Sequence, residues 1–361
     1  MKQTHFDRIY LKFGNGCNFD CKYCSQGDSD RYFQNEPTRG CTLSGDVIDY
    51  LDHYAKNIND PYKPTYIVLW GGEPLLYFDS IRFVVERYGK TFNYGTATNG
   101  AYLSQEIVDF FNKHEIRLAL SHDGEITEHT RGVDALKNKR IRDLYNQVDK
   151  SVFFSVITAK NPSFTDIYDY FNQIGFPDMD VDTFLCLDTN GKEQTVNLTQ
   201  FDFEEFDRGF KKLIERGDAY INGDVRYYRE HRLLKGAIES IKKHLSKPIK
   251  KSKFFCETCG VASQGTKINI MWNGMLTACH NSNVVIGHIS DDYKDVQHCR
   301  REYEAGHETH VDCSSCEFDP ICKGVCAHTT EHGAKTWCKL NKIILSNILV
   351  YIQKNGIKKD E

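Results

Sequence analysis

The stretch CNFDCKYC at residues 17–24 decides the fold prediction. Its cysteines, Cys17, Cys21 and Cys24, have the spacing C-x3-C-x2-C and follow a strand-like apolar run at residues 9–13. Three thiolates in one short loop can bind three irons of a four-iron cluster and leave the fourth iron open to another ligand. The stretch therefore predicts a reactive iron–sulfur site at the end of a first strand.

A zinc loop is the alternative interpretation of the same cysteines. Structural zinc takes four protein ligands. The nearest candidates for a fourth ligand are His5 and Cys41, and neither has a usual spacing. The iron–sulfur interpretation is therefore favoured.

The composition narrows the class of protein. The 361 residues carry 46 basic and 50 acidic side chains, a formal net charge of −4, so no basic signature suggests sequence-independent nucleic-acid binding. No apolar run approaches the roughly 18 residues of a membrane span, and the N-terminus is not a signal peptide. Fourteen cysteines without an export signal favour a cytoplasmic metalloprotein.

Short apolar runs alternate with helical patterns along the first half of the chain. The runs that predict strands are Ile9–Phe13, Tyr66–Trp70, Tyr94–Thr98, Ile116–Ser121, Val152–Ile157 and Val181–Leu187. Six strands alternating with helices at about 30-residue spacing predict an α/β fold, a parallel sheet or partial (β/α)6 TIM-like barrel. Ligands in such folds bind at the carboxyl edge of the strands.

Helix signals and composition shifts set the remaining boundaries. Ser44 and Ser104 are candidate N-caps, and Gly217 is a candidate stop for a helix with an apolar stripe between residues 203 and 214. We expect a barrel at 1–220, a helical connector at 221–250, a cysteine-rich domain at 251–340, and a C-terminal helix and tail at 341–361.

The loop at residues 17–24 resembles that of the radical S-adenosylmethionine (SAM) superfamily, and its position after the first strand is the same. The resemblance implies that the amino and carboxylate groups of SAM chelate the open iron. Reduction then cleaves SAM, and the resulting 5′-deoxyadenosyl radical abstracts a substrate hydrogen. The residue before the last cysteine of this family lies near the adenine; here it is Tyr23.

The sequence Gly71-Gly72-Glu73-Pro74 follows the second predicted strand, where the family has its motif for the SAM amino group. Glycines allow the backbone to approach a ligand closely, and Glu73 can pair with an ammonium. The same four residues alone would also suit an ordinary turn. Their position after the cysteine loop is what supports the resemblance.

Three further segments match in the same order. Asn99 lies at the end of the third strand, and Ser121 and Asp123 belong to an element similar to the family's S-x-D-G, whose serine contacts the SAM ribose. Arg131 is placed like an arginine that pairs with the SAM carboxylate, a task that suits a bidentate guanidinium. Each alone could be a turn or a surface charge.

A second set of eight cysteines lies downstream: Cys256, Cys259, Cys279, Cys313, Cys316, Cys322, Cys326 and Cys338. Eight thiolates suffice for two fully ligated four-iron clusters. Zinc-ribbon spacing would place a second C-x2-C about 15–20 residues after the first, whereas Cys259 and Cys313 are much farther apart. A zinc site remains the alternative.

The spacing of these cysteines resembles the SPASM domain, a C-terminal extension of many radical SAM enzymes. The likeness implies three [4Fe–4S] clusters, one binding SAM and two auxiliary. Cys256, Cys259, Cys279 and Cys326 would hold the first auxiliary cluster, and Cys313, Cys316, Cys322 and Cys338 the second. Without Cys256, the first auxiliary cluster would keep an open iron for a substrate thiolate.

Cys41, Cys186 and Cys299 are left over, and we expect them to be small buried hydrophobes. Cys186 has an alternative function. It lies at the end of the sixth predicted strand, at the expected active-site edge, where a thiol could give a hydrogen atom to a substrate radical, as a peptide epimerase requires.

Resemblance to SPASM enzymes implies an oxidative modification of a ribosomally made peptide, a thioether or carbon–carbon crosslink. Anaerobic sulfatase-maturating enzymes are similar in length and cysteine layout, but they have an aspartate as base directly after the G-x4-C cysteine. Here His280 stands there, and imidazole can serve as that base or hydrogen-bond a cluster sulfur. The alternatives are sulfatase maturation, epimerisation, and a non-catalytic iron–sulfur or zinc protein.

The expected partners follow from the same resemblance. They are a peptide or protein substrate and a flavodoxin or ferredoxin as reductant. Only 16 residues precede Cys17, too few for the winged leader-binding domain of many maturases. We therefore expect either a separate protein that presents the substrate or direct recognition of the substrate.

Overall fold

The computed structural model describes residues 5–24, 32–177, 179–185, 200–245, 266–280, 284–305, 311–322, 324–325 and 329–355. The chain divides into two compact units. Unit 1 comprises residues 1–122, 131–154 and 257–307, and unit 2 comprises residues 123–130, 155–256 and 308–361. The stretch 251–340 thus contributes to both units.

The described residues form eleven strands and eleven helices. The strands are β1 (Arg8–Lys12), β2 (Gly16–Cys17), β3 (Tyr32–Phe33), β4 (Tyr66–Trp70), β5 (Asn93–Thr98), β6 (Arg117–Ser121), β7 (Ser151–Ile157), β8 (Val181–Leu185), β9 (Lys267–Met271), β10 (Met275–Thr277) and β11 (Val285–His288). The helices are α1 (Gly45–Asn57), α2 (Phe78–Tyr88), α3 (Gln105–Lys113), α4 (Thr127–Arg131), α5 (Lys139–Tyr145), α6 (Phe164–Gln173), α7 (Phe203–Ile221), α8 (Tyr228–Leu245), α9 (Tyr293–Ala305), α10 (Asp319–Cys322) and α11 (Glu331–Asn355).

The main sheet of unit 1 has the order β11-β10-β9-β1-β4-β5-β6-β7, and β8 follows β7 in unit 2. Strands β1, β4, β5, β6 and β7 pair in parallel. This confirms the predicted α/β class and the six alternating strands. The predicted bounds agree within two residues, and the last two residues of the predicted Val181–Leu187 lie outside the described residues.

Strand β9 was absent from the predicted sheet. It pairs in parallel with β1, with Tyr10 opposite Asn269 and Lys12 opposite Met271. Strands β10 and β11 continue the sheet in antiparallel fashion. A segment more than 250 residues away in sequence therefore extends the sheet on the side of β1 that faces away from β4.

The strands at the centre of this sheet have one apolar and one more polar face. Ile9 and Leu11 of β1 and Ile67 and Leu69 of β4 are fully buried. Because side chains alternate along a strand, Tyr10 and Lys12 belong to the opposite face. We call that face, with Tyr10, Lys12, Trp70 and Asn269, the polar face.

The predicted helix starts are confirmed in position, with one difference in detail. The Ser104 hydroxyl accepts a hydrogen bond from the backbone N–H of Ile107 at 3.3 Å. Ser44 precedes α1 but makes no side-chain cap bond; its own backbone N–H donates to the carbonyl of Trp272. No helix in the described part of the chain is long and apolar enough to cross a bilayer.

The predicted helix stop at Gly217 is wrong. Helix α7 continues to Ile221, and Gly223, with φ 103°, follows its C-cap. Gly217 instead faces α8: a Cβ there would lie 3.1 Å from Leu234 Cδ2 and 3.4 Å from the Glu230 backbone. The missing side chain thus lets the two helices of unit 2 pack closely.

We expect Gly217→Ala to lower the stability of the protein by about 1 kcal/mol. The helix propensity gained, about 1 kcal/mol, should be exceeded by overpacking against Leu234, which costs about 1–3 kcal/mol. Thermal unfolding of the anaerobic holoprotein by circular dichroism measures the difference.

Gly236→Ala in α8 is the matched control, because a Cβ at Gly236 meets nothing within 4 Å. It should raise stability by about 0.5–1 kcal/mol. Equal shifts for the two variants would contradict close packing at Gly217.

Candidate active site

The cysteine loop starts in the small parallel pair β2–β3, where the backbone N–H of Gln34 donates to the carbonyl of Cys17 at 3.0 Å. Burial raises the pKa of the Cys17 thiol to about 12, and the charges of Glu73, Cys21 and Cys24 act in the same direction. The three thiols are thus close enough to interact. A thiol this buried ionises readily only beside a positive metal, so its chemistry suits a cluster ligand. The described side chains nevertheless include no group of three or more His, Cys, Asp or Glu arranged to hold a metal ion.

The glycine pair holds the cysteine loop against the end of β4. The backbone N–H groups of Gly72 and Glu73 donate to the carbonyls of Gly14 and Gly16 at 3.1 and 2.8 Å. A Cβ on Gly72 would lie 2.6 Å from the Gly16 carbonyl carbon and closer still to its oxygen. Gly72 is therefore required by the approach of the cysteine loop.

Tyr77 is a site residue that the sequence analysis missed. Its hydroxyl accepts a hydrogen bond from the Gly16 N–H at 2.8 Å and lies 3.3 Å from the Tyr32 hydroxyl. Its ring occupies the space that a side chain on Gly14 would need. The glycines around the first cysteine were the available signal, because they leave room for a neighbouring ring.

The Glu73 carboxylate is fully buried at the carboxyl edge of the strands. It accepts hydrogen bonds from Leu75 N at 3.0 Å, Thr98 Oγ1 at 2.5 Å and Asn99 N at 2.8 Å. Burial outweighs these donors and raises the pKa of Glu73 to about 6. A cationic group brought beside this carboxylate would favour its ionised form.

Asn99 connects the third strand to the cysteine loop. Its Nδ2 donates to Asn18 Oδ1 at 2.8 Å, and its Oδ1 accepts from Ala101 N at 3.0 Å. Glu73, Asn99 and Asn18 therefore form one hydrogen-bonded chain. The sequence placed Asn99 at this edge correctly and gave no sign of its bond to Asn18.

The S-x-D-G element has different surroundings at each residue. Ser121 ends β6 opposite Phe154. In unit 2, the Asp123 carboxylate accepts from Thr130 Oγ1 at 2.6 Å and from Val156 N at 3.0 Å. These bonds order the loop, which is a structural function that the sequence analysis did not assign to Asp123.

Arg131 is buried, and its guanidinium lies over the Tyr23 ring, 5.3 Å from the ring centroid. This cation–π contact brings together two residues that the sequence placed at the SAM site 108 positions apart. Such contacts contribute about 0.5–2 kcal/mol. It fixes Arg131 beside the cysteine loop.

His280 lies on the polar face of the sheet in unit 1. Its ring stacks on Tyr10 with centroids 4.4 Å apart and meets Trp70 edge to face at 5.7 Å. Its Nδ1 is 3.8 Å from the sulfur of Cys279. A narrow cleft beside it is lined by Tyr10, Lys12, Trp70, Asn269, Ile270, Met271, Thr277 and His280.

Four of the eight downstream cysteines lie in the part of unit 2 that the structure describes, but no group of three or more His, Cys, Asp or Glu side chains among the described residues is arranged to hold a metal ion. Burial, the Asp319 carboxylate and the neighbouring thiols of Cys338 and Cys316 raise the pKa of Cys313. Burial also raises the pKa of Cys322, whose sulfur accepts a hydrogen bond from Asn341 Nδ2 at 3.7 Å. These four thiols are the predicted ligands of the second auxiliary cluster.

Most of the predicted ligands of the first auxiliary cluster lie outside the described residues. Cys279 is buried in unit 1, whereas Cys256, Cys259 and Cys326 lie outside the described residues, as does Cys186. The expectation that Cys41 and Cys299 are buried is wrong, because both are exposed. Cys41 lies in the coil before α1, and Cys299 lies on the solvent side of α9.

The fold places three cysteines at the carboxyl edge of a parallel α/β sheet, beside a buried glutamate and a buried arginine. Residues 11–152 match the family model of the radical SAM superfamily. The chain therefore contains a radical SAM domain. Such a domain implies a SAM-binding four-iron cluster and SAM as cofactors.

Two curated proteins are similar in sequence. Radical SAM cyclopropyl synthase TigE of Paramaledivibacter caminithermalis is 24% identical over 386 residues, which cover 98% of this chain and 75% of that protein. The serine-type anaerobic sulfatase-maturating enzyme of Bacteroides thetaiotaomicron is 27% identical over 119 residues, which cover only 31% of this chain and 28% of that protein.

Two solved structures share the fold. Native anSMEcpe with bound AdoMet has a TM-score of 0.68 at 16% identity and covers 96% of this chain and 99% of that chain. Streptococcus suis SuiB bound to its precursor peptide SuiA has a TM-score of 0.55 at 17% identity, and the match covers 90% of this chain and 72% of that chain. At these identities the likeness establishes the fold alone.

We expect Gly72→Ala to lose the cluster held by the cysteine loop. The added methyl group would collide with the Gly16 carbonyl, which is backbone and cannot rotate away, so β2 would shift together with Cys17. Iron and sulfide content after anaerobic reconstitution, with SAM cleavage to 5′-deoxyadenosine, measures the loss.

Gly71→Ala is the matched control, since its Cβ would lie 3.4 Å from Tyr77 Cδ2, an ordinary contact. It should keep the cluster, measured as iron and sulfide content. If Gly72→Ala behaved like Gly71→Ala, the close approach of the two loops would be disproved.

Proposed function

We propose that this chain is a peptide maturase of the radical SAM/SPASM type, which oxidatively modifies a ribosomally made peptide by forming a carbon–carbon or thioether bond. The observation that carries the proposal is the continuity of two sites in unit 1. Trp70 lines the His280 cleft and is followed at once by the Gly71–Gly72 turn that holds the cysteine loop.

At the SAM site, we propose that Cys17, Cys21 and Cys24 hold the cluster. Glu73 and Arg131 have the charges that suit the amino and carboxylate groups of SAM, and Tyr23, Asn99 and Ser121 border the same edge. When bound, the cluster and SAM would supply a carbon-centred radical that removes one hydrogen atom from the peptide. The arrangement of Arg131 over Tyr23 supports this assignment.

The peptide must then lose one electron and one proton to complete a two-hydrogen oxidation. We propose His280 as the proton acceptor, because its ring lies in the cleft and is held on two sides by Tyr10 and Trp70. Cys313, Cys316, Cys322 and Cys338 would hold one auxiliary cluster as electron acceptor, and Cys279 belongs to the other. A flavodoxin or ferredoxin would supply electrons to SAM.

The similarity to TigE, which extends over almost the whole chain, favours carbon–carbon bond formation. SuiB was solved with a precursor peptide, which supports a peptide as the substrate class. Sulfatase maturation is the second candidate, favoured by the match to the Bacteroides enzyme over 119 residues.

Anaerobic co-expression with the short open reading frame beside the gene, followed by intact and fragment mass spectrometry, tests the proposal. A serine/cysteine sulfatase peptide serves as comparator, and the Cys17→Ala/Cys21→Ala/Cys24→Ala variant is the inactive control. Loss of two hydrogens, localised to a new bond in the neighbour peptide, is expected.

Fragmentation and aldehyde trapping separate the products. A bond between two residues blocks fragmentation of the segment that it bridges. A ring within one residue leaves the fragmentation pattern of the backbone unchanged. A hydrazine-reactive formylglycine on the comparator alone would replace our proposal by sulfatase maturation. If the wild-type protein forms no 5′-deoxyadenosine, the remaining interpretation is a non-catalytic iron–sulfur protein.

We expect His280→Ala to stop peptide modification and to keep SAM cleavage, because the radical is formed at the cysteine loop. Formation of 5′-deoxyadenosine and of modified peptide are measured in one reaction. His298→Ala, on an exposed side of α9, is the control.

The contact of His280 with Cys279 allows a second outcome. If His280 serves only as a hydrogen-bond partner of the Cys279 sulfur, His280→Ala should change the electron paramagnetic resonance spectrum of the auxiliary clusters. It should then retain some modification of the peptide. Unaltered peptide turnover would exclude His280 from the mechanism.

A further inference from the structure

Two buried polar atoms border the His280 cleft without a hydrogen-bond partner among the described residues. They are the donor Nε1 of Trp70 and the acceptor Oδ1 of Asn269. Leaving a buried polar group unpaired is unfavourable, so most such groups in folded proteins have a partner. One cleft thus contains an unpaired donor and an unpaired acceptor. This combination indicates a ligand that can both accept and donate a hydrogen bond.

The orientation of the Asn269 carboxamide is fixed by its neighbour. The side chain is only 4% exposed, and its Nδ2 donates to the carbonyl oxygen of Thr277 at 3.3 Å. Because a carbonyl can only accept, the atom facing Thr277 must be the nitrogen. The unpaired atom on the other side is therefore the oxygen, an acceptor.

The two atoms come from strands on opposite sides of β1. Trp70 of β4 lies opposite Lys12, and Asn269 of β9 lies opposite Tyr10. Two strand spacings separate β4 from β9, about 10 Å. A group between them must accept a hydrogen bond on one side and donate one on the other.

The cleft also selects for shape. The Tyr10 and His280 rings are parallel within 3°, and the Trp70 ring is perpendicular to His280 at 89°. Because the Tyr10 and His280 rings stack directly on each other at 4.4 Å, a planar group can pack only against their edges and outer faces. A trans peptide unit is planar, and its N–H and C=O point in opposite directions, whereas a primary carboxamide can offer both on one edge.

We propose that Trp70 and Asn269 bind one backbone amide of the substrate peptide. The Trp70 indole donates to the peptide carbonyl oxygen, and Asn269 Oδ1 accepts from the peptide N–H. The inference rests on the proposed peptide-modifying function and names the subsite within it. The pair would fix the peptide backbone beside His280 whatever side chain that residue carries.

A binding experiment tests the subsite directly. N-methylacetamide is titrated into anaerobically reconstituted holoenzyme labelled with ¹⁵N at the indoles of its three tryptophans. We expect a saturable shift of the Trp70 indole signal, which Trp70→Phe identifies by removing it. Asn269→Leu should weaken the binding about five- to tenfold, the effect of one hydrogen bond.

Three controls sharpen the result. Methyl acetate, which lacks the N–H, should bind wild type about as weakly as N-methylacetamide binds Asn269→Leu. Trp272→Phe, the matched substitution outside the cleft, should bind like wild type. Acetamide binding as tightly as N-methylacetamide would show a subsite for a side-chain carboxamide and would overturn the backbone assignment.

The proposal is wrong if the Trp70 signal does not respond, or if all three indole signals shift together without saturation. Either result would mean that ordered water satisfies both atoms. Iron content and circular dichroism of each variant establish that it is folded and loaded, so that lost binding is not lost structure.

A turnover arm distinguishes this inference from the proposed function. With a peptide that the wild-type enzyme modifies, Trp70→Phe and Asn269→Leu should raise KM about five- to tenfold and lower kcat less. If the wild type modifies no peptide but N-methylacetamide still binds, the proposed function fails and the amide subsite stands. If the wild-type enzyme modifies a peptide and neither variant changes KM, the amide subsite is disproved and the proposed function is retained.

Discussion

The backbone contact between residues 72–73 and the Gly14–Gly16 segment is the constraint on which the site depends. Two hydrogen bonds join segments that lie almost 60 residues apart, and they leave no room for a Cβ on Gly72. Glycine is required at position 72 because two protein backbones touch there. A backbone cannot rotate away from an added methyl group as a side chain could. The position of Cys17, and with it the cluster, follows from this contact.

Buried polar groups at the edge of the strands fall into two kinds. Glu73, Asn99 and Asn18 satisfy one another and the backbone, so their polarity stabilises one arrangement of the loops. Trp70 Nε1 and Asn269 Oδ1 have no hydrogen-bond partner in the part of the chain that the structure describes. Unpaired groups confer no stability, and the peptide amide proposed above would complete both.

The pairing of β9 with β1 explains how one sheet serves two chemical purposes. Strand β9 leads through the turn at Gly274 into β10, which ends just before Cys279 and His280. The in-register pairing of Tyr10 with Asn269 fixes that hairpin in the sheet beside β1. His280, just after β10, stacks on Tyr10. A segment with Cys279 and His280 thus belongs to the same unit as the cysteine loop at residues 17–24.

The sequence by itself determined the six alternating strands, the edge at which the motifs gather and the cysteines of the first loop. It could do so because strand periodicity and ligand spacing are local properties. It failed at Gly217, where glycine serves helix packing, and at Cys41 and Cys299, which are exposed.

Only the tertiary structure decided which distant residues meet: Tyr77 with Gly16, Asn18 with Asn99, Arg131 with Tyr23, and His280 with Tyr10. A polar residue inside the apolar strand β9 was a visible signal at Asn269, but its partner strand was not. The free energy of such contacts depends on register between segments far apart in the chain, and no local pattern encodes that register.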